Sequence, residues 1–394
     1  MPLRKVISET GAPGHGCVLY PITLSVESAK AAKNKKRGNI MKKALALLLS
    51  SLMLIGALTG CGSKSDASSA SGSDSASDGT AEEKSVTLKI HCDYTEDHPA
   101  SQLLAQFCDR VSEATNGTVT VKPYYAGSLG DYTTVFDEVA QGSIDMTWGC
   151  NSTTFGEALN IWNMPYLAVT WDDAKTIFAP DSFVSTTMAD LCDQNGIKLL
   201  GLHLIGAGGL AATKMPKDWE TWGVDHDFLL RVPNADTVTL PMAAMGYRTQ
   251  SVNWSELFTA VQTGVVDGFV GGHPPAVYDQ FRDVVKYYLQ INNFFEVATV
   301  SINKNTFEKL SADQQAALEE AAAWAFDESV ANGEATENEY LQKMSDYGIE
   351  VIKPDESVLQ NFAEHCRAEV WPELRSSINN DEVFDGLMAS LNIQ

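Results

Sequence analysis

A chain of 394 residues is long enough for two domains with separate cores. Its 51 acidic and 28 basic side chains leave a formal charge of −23, which speaks against nucleic acid as a partner. It leaves room for anion binding, because one buried arginine acts through local geometry while distant charge is screened.

The first forty residues differ from the rest and read as a doubtful leader or a mis-set start at 1–40. Met41 then opens MKKALALLLSSLMLIGALTGC: two lysines, an apolar run and small residues before Cys61. That order predicts a lipoprotein signal peptide over 41–60, and Leu58-Thr59-Gly60-Cys61 resembles a bacterial lipobox. Cys61 is therefore the expected lipidation site and the link to the membrane. Residues 61–85, GSKSDASSASGSDSASDGTAEEK at their centre, offer little apolar area to offset ordering entropy and read as a tether.

Cys17 falls in the doubtful leader. Cys92, Cys108, Cys150, Cys192 and Cys366 show neither CxxC nor a compact ligand spacing, so no zinc or iron–sulfur site is expected and no disulfide is assignable.

Val86, Leu88, Ile90 and Cys92 alternate as a strand, and a helix with Leu103, Leu104, Phe107 and Val111 on one side follows from near His98. Asn116-Gly117 turns the chain into TVTVKPYY. In TTVFDEVAQGSIDMTWG, Val135, Phe136 and Val139 line a helix, Gly142 ends it, and Ile144, Met146 and Trp148 enter a strand.

The same phrase returns as NWSELFTAVQTGVVDGFV. Asn253 and Glu256 have capping-box spacing, Trp254, Leu257, Phe258 and Val261 line one face, Gly264 stops the helix, and a strand with Phe269 follows. An aspartate, Asp145 or Asp267, stands three residues after each glycine. Two such joints predict two similar α/β lobes, with two unrelated joints in one large domain as the alternative. The chain is expected to cross between lobes near Gly206 to Leu210 and to return near Val297 to Val300. A long alanine- and glutamate-rich helix, with Ser311 and Gln314 as its capping box, then runs to about Met344. It is expected to bend near Gly333, brace both lobes and end at Gly348.

Catalytic signatures are thin. Gly206 to Gly209 lacks the full GxGxxG fingerprint, and the sequence holds no GxSxG, HExxH or Walker A motif. Arg231, in FLLRVP, stands between an apolar strand and a proline, from which a guanidinium either pairs with a neighbouring acid or grips a ligand carboxylate through two charge-assisted hydrogen bonds. Asp145 and Asp267 read as turn caps. Trp148 and Phe269, just after the repeated joints, are either core or pocket wall.

DHPASQLLAQF, NGTVTVKPYYAGSLG, EVAQGSIDMTWG, NMPYLAVTWDDA, LLRVP, AMGYRTQSVNWSELFTAVQTGVVDG and FRDVVKYY occur in this order. Together they resemble the DctP-type solute receptors of tripartite ATP-independent periplasmic (TRAP) transporters, over Val86 to the C-terminus. The resemblance implies a two-lobed periplasmic-binding-protein-like α/β fold with a hinge, a central cleft and a long bracing helix. Lobe I would be 86–207 with about 298–335, and lobe II 208–297 with about 336–394.

It also implies a non-enzymatic, extracytoplasmic receptor that needs no cofactor and delivers a small organic acid to an ion-driven permease. Arg231 resembles the family's carboxylate-binding arginine, with Trp148, Asn253, Phe269 and Lys214 as further candidate ligand contacts. Gly208-Gly209-Leu210 stands where many relatives carry a second arginine, and Val270-Gly271 where they carry a polar pair, which favours a monocarboxylate. A secreted enzyme acting on a carboxylated substrate and an adhesive surface protein are the alternatives from other classes.

Overall fold

In the computed structural model the described residues are 84–150 and 157–391. The leader, the signal segment, Cys61 and the tether up to residue 83 lie outside them.

Strand β1 (Val86–Cys92) buries Leu88, Ile90 and Cys92 by alternation. Helix α1 (Pro99–Ala114) starts at Pro99, its ring pre-set for the first helical turn, and buries Leu104, Phe107 and Val111. The turn at Asn116 and Gly117, both with positive φ, feeds β2 (Val119–Tyr124), an edge strand that tolerates Pro123. Then come α2 (Tyr132–Gln141), β3 (Met146–Gly149), a 3-10 turn (Glu157–Asn163), α3 (Trp171–Ile177), α4 (Phe183–Gln194) and β4 (Ile197–Ala207).

The chain passes through Gly208 into β5 (Gly209–Ala212), β6 (Leu229–Val232), α5 (Asp236–Met245), β7 (Arg248–Ser251), α6 (Trp254–Gln262), β8 (Gly268–Gly272), α7 (Pro274–Phe281) and β9 (Tyr287–Leu289). It returns in β10 (Phe295–Asn303), followed by α8 (Lys304–Phe307), α9 (Ala312–Tyr347), β11 (Glu350–Ile352), α10 (Glu356–His365), a π turn (Cys366–Val370), α11 (Trp371–Ile378) and α12 (Asp381–Ser390). No described helix is long and apolar enough to cross a membrane.

Two sheets result, β2-β1-β3-β10-β4 and β11-β9-β5-β8-β6-β7. In the first, β1, β2 and β3 are parallel; in the second, β6, β7 and β8 are parallel. The two helix-glycine-aspartate joints do the same work in each. Asp145 accepts the Lys89 N–H of β1 at 2.8 Å, and its carbonyl accepts Asn303 N–H at the end of β10. Asp267 accepts the Leu229 N–H of β6 at 2.8 Å, and its carbonyl accepts Thr213 N–H just after β5. Each aspartate ties two neighbouring strands at the start of the strand it precedes.

The first crossing falls between Ala207 and Gly209. The chain passes back from β9 to β10 through Gln290 to Phe294, ahead of the expected Val297 to Val300: it turns at Asn292, φ 48°, and Val297 to Val300 are already paired inside β10. The two crossings run side by side. Gly208 N–H donates to Phe294 O at 2.9 Å, and a Cβ on Gly208 would lie 1.9 Å from the Phe294 ring, so only glycine permits the approach.

Helix α9 carries the expected capping box, with Ser311 and Gln314 bonded reciprocally at 3.2 Å, and ends at Gly348 in the left-handed conformation. It packs on α1 and β4 on one side of the crossings and on α7 and β11 on the other. Gly333 serves as a seat for Trp171, whose ring would be 2.3 Å from a Cβ there, and the helix continues through it. The C-terminal helices are not confined to the second lobe. Trp371 Nε1 donates to Pro165 O at 2.9 Å, α12 packs on α4, and the π turn packs on α5, so they cover elements of both lobes.

Candidate functional site

The parallel strands of the two sheets present their C-terminal ends to a common cleft, the place where open α/β sheets bind ligands. From the second lobe comes Arg231 on β6, flanked by β7 and β8. It is 3% exposed, yet among the described residues it has no carboxylate partner. Its Nε donates to Val252 O at 2.8 Å and its NH1 to Val270 O at 3.2 Å. Those two bonds fix the plane of the guanidinium and leave the donors of NH2 without a partner among the described residues. Trp254 lies 5.7 Å from the guanidinium carbon and forms a cation–π floor, itself backed by Phe269 and Phe281. At Gly271 a Cβ would stand 3.3 Å from NH1, so the missing side chain keeps this edge of the arginine clear. Burial pushes the guanidinium down to about 10, which still leaves it charged at neutral pH.

Across the cleft, Tyr132 opens α2. Burial pushes its phenol up to about 12, with Cys150, Asp131 and Asp93 adding to the effect and Arg231 opposing it. Tyr132 thus lies in the fields of both poles of the cleft. Asp93 follows β1 and lies over Gly149, where a Cβ would meet its Oδ2 at 2.0 Å; it accepts Cys150 N–H at 2.8 Å and faces His91 Nε2 at 2.7 Å.

Glu296 on β10 accepts the Tyr94 hydroxyl at 2.8 Å and faces His273 Nδ1 at 2.5 Å. Burial alone would raise its carboxyl. His273 and the hydrogen bonds from His273, Tyr94 and Cys150 outweigh that and hold it below its ordinary value. Arg231 on one lobe thus stands opposite a lobe that carries Asp93, bonded to Cys150 N–H, and Glu296, held by Tyr94 and His273.

The remaining sequence candidates fall elsewhere. Trp148 is fully buried among Phe107 and His203 in the first lobe's core, because the alternation of β3 turns it toward α1. Phe269 is packed behind Trp254 and Phe281 and supports the site from beneath. Asn253 occupies the N-cap position of α6, but it is exposed and its side chain makes no capping bond, so the expected box with Glu256 does not form.

Lys214 pairs with Asp267 at 3.1 Å. Strand β5 runs antiparallel to β8, which carries Lys214 to the end of the sheet opposite Arg231. Leu210 and Val270 are buried in the core, so their side chains do not line the cleft.

Tyr132, Tyr94 and Glu296 have no role in the sequence reading, and His98, His273 and Cys150 read there as surface or packed side chains. A usable signal existed for two of them: His98-Pro99 and His273-Pro274 are both strand-to-helix joints with proline opening the helix. Among the described residues no group of three or more His, Cys, Asp or Glu side chains could hold a metal ion.

Residues 92–376 match the family model DctP, bacterial extracellular solute-binding protein, family 7. A solute-binding protein of Chromohalobacter salexigens is 26% identical over 262 residues, 66% of this chain and 76% of that protein. Two solved structures share the fold. The sugar acid binding protein of Advenella mimigardefordensis, in complex with galactonate, has a TM-score of 0.68 at 19% identity, covering 78% of this chain and 98% of that one. An extracytoplasmic solute receptor of Bordetella pertussis binding pyroglutamic acid has a TM-score of 0.66 at 21% identity, covering 78% and 99%. With two sheets meeting at a cleft, a buried arginine at its strand ends and a family match over most of its length, the chain belongs to the DctP family of bacterial extracellular solute-binding proteins.

Proposed function

We propose that the protein is a TRAP receptor that captures a small organic acid by its carboxylate at Arg231 and hands it to the membrane permease. The observation that carries this reading is a 3%-exposed guanidinium with no acidic partner among the described residues, oriented by two backbone carbonyls at the strand ends of a two-lobed fold. A carboxylate delivered there gains paired, charge-assisted hydrogen bonds in a site from which lobe closure removes water.

The lobes in this reading are residues 86–207 with 295–335 and residues 208–289 with the second sheet's β11. Helix α9 braces both, and the C-terminal helices cap both. The family and structural relatives are binding proteins, so we read the residues at the cleft as contacts and not as catalytic groups.

The ligand class follows from the charges. We read Asp93 and Glu296, on the lobe opposite Arg231, as the charges that a second ligand carboxylate would meet. A single-carboxylate acid with a neutral, hydrogen-bonding remainder is therefore favoured over a compact dianion. Calorimetric titration with matched mono- and dicarboxylates is expected to show one saturable site that prefers the monocarboxylates. Tighter binding of the dicarboxylates would refute the charge argument.

Lipidation at Cys61 would keep the receptor at the extracytoplasmic membrane face, on the tether of residues 61–85. Intact mass analysis of the membrane-extracted protein is expected to find a mature chain that begins at a lipid-modified Cys61. A full-length, unmodified chain would contradict the anchor.

A further inference from the structure

Three hydrogen bonds run in series from one lobe to the other and back. His98 caps α1 of the first lobe, its Nδ1 accepting Ala100 N–H at 3.1 Å. Its Nε2 lies 3.0 Å from Nε2 of His273, the residue that precedes α7 of the second lobe. His273 Nδ1 in turn faces Glu296 Oε2 of the first lobe at 2.5 Å. Both imidazoles are buried, His98 at 2% and His273 at 1% exposed.

The amide of Ala100 can only donate, so Nδ1 of His98 carries a lone pair and its proton sits on Nε2. That proton is donated to Nε2 of His273, which therefore carries a lone pair and places its own proton on Nδ1, toward the Glu296 carboxylate. All three bonds exist together only when both rings are neutral. A further proton on His98 sets Nδ1–H against the Ala100 N–H, and one on His273 sets two N–H groups against each other.

We propose that His98 and His273 are positioning residues for lobe closure, a neutral imidazole pair that holds the lobes together and parts when it takes up a proton. The groups around His273 are Tyr94 from the loop after β1, His203 on β4, Glu296 on β10, Glu337 on α9 and Asp279 on its own helix. The α1 cap leaves no acceptor for a second proton on His98, and burial holds His98 well below the ordinary histidine value, with His273 and His203 adding to the effect.

The sign follows from that depression. With the lobes apart, His98 meets water and titrates at its ordinary value; with them together it stays neutral. The joined state is thus fully favoured above the ordinary histidine value and loses ground as pH falls through it. For one excluded proton, the ratio of joined to parted lobes drops about tenfold between about pH 7.5 and about pH 5.5.

The test uses hydrogen exchange of the full chain, corrected for the intrinsic effect of pH, in residues 98–104 and 273–281. Wild type is expected to lose about tenfold in protection over that interval. His98→Asn keeps a good helix cap but cannot titrate, and is expected to lose less than about twofold. Ring 15N correlations at about pH 7.5 are expected to place the proton on Nε2 of His98 and Nδ1 of His273. A pH-independent wild type, an equal loss in H98N, or the opposite tautomers would each overturn the proposal.

Discussion

Replacing Arg231 with alanine is expected to weaken binding of the captured acid by about 2 to 5 kcal/mol, the usual cost of removing one partner of a desolvated charge pair. The structure makes that cost hard to evade. The arginine is held in one plane by Val252 O and Val270 O, stands over Trp254, and among the described residues has no acidic partner that its loss would free. Arg231→Lys keeps the charge but loses the planar fork and the second backbone bond, so its affinity should fall between wild type and alanine. Lys214→Ala is the matched control, since Lys214 pairs with Asp267 at the far end of the sheet, and is expected to leave affinity within about twofold. Calorimetry against the tightest acid of the panel reads all three. Wild-type affinity in R231A would remove Arg231 from the site, and a large loss in K214A would return Lys214 to it.

Replacing Glu337 with alanine is expected to lower folding stability by about 3 to 5 kcal/mol, because three buried donors lose their acceptor. Glu337 stands on α9 beside both lobe crossings. Its Oε2 accepts Ala207 N–H of the first crossing at 2.8 Å, and its Oε1 accepts Gln290 Nε2 of the second at 2.8 Å and Trp171 Nε1 of α3 at 3.2 Å. Burial raises its carboxyl above the usual carboxylate range despite those bonds. The folded protein then holds this proton to a higher pH than the unfolded chain. The stability from this group is complete below the ordinary carboxyl value and falls away as pH rises through the folded value. Glu337→Gln retains an acceptor and cannot titrate, so it should cost less than alanine and flatten that slope. Urea unfolding at several pH values measures both effects. A loss below about 1 kcal/mol in E337A would mean that water or relaxation replaces the carboxylate at the crossings.

Local chemistry makes much of this architecture legible in the sequence. Ser311 and Gln314 announce α9, and the glycine-rich passage after β4 marks the first crossing. The repeated helix-glycine-aspartate phrase corresponds to two joints that bond their neighbouring strands in the same way. The return crossing was harder. Val297 to Ile302 is buried on both faces, so alternation offers no boundary inside it, and the turn depends on Asn292 adopting positive φ.

The site divides along similar lines. Arg231 stands out as a candidate because an arginine in an apolar strand demands a partner. Trp148 and Phe269 were ambiguous because the same residue types fill cores and line clefts, and strand alternation alone did not say which face was covered. Lys214 failed because its direction depends on β5 running antiparallel to β8, a fact of sheet order. Glu296 and His273 acquire their roles only from each other across the lobes, through a contact that no spacing in the chain encodes.

Capture requires the two lobes to close over a carboxylate held by Arg231. Small-angle scattering of the full chain with and without the tightest acid of the panel tests this most directly. The account predicts a more compact particle with ligand in wild type and no such change in R231A at the same ligand concentration. A wild-type envelope that stays the same at saturating ligand, or an equal compaction in R231A, would contradict it.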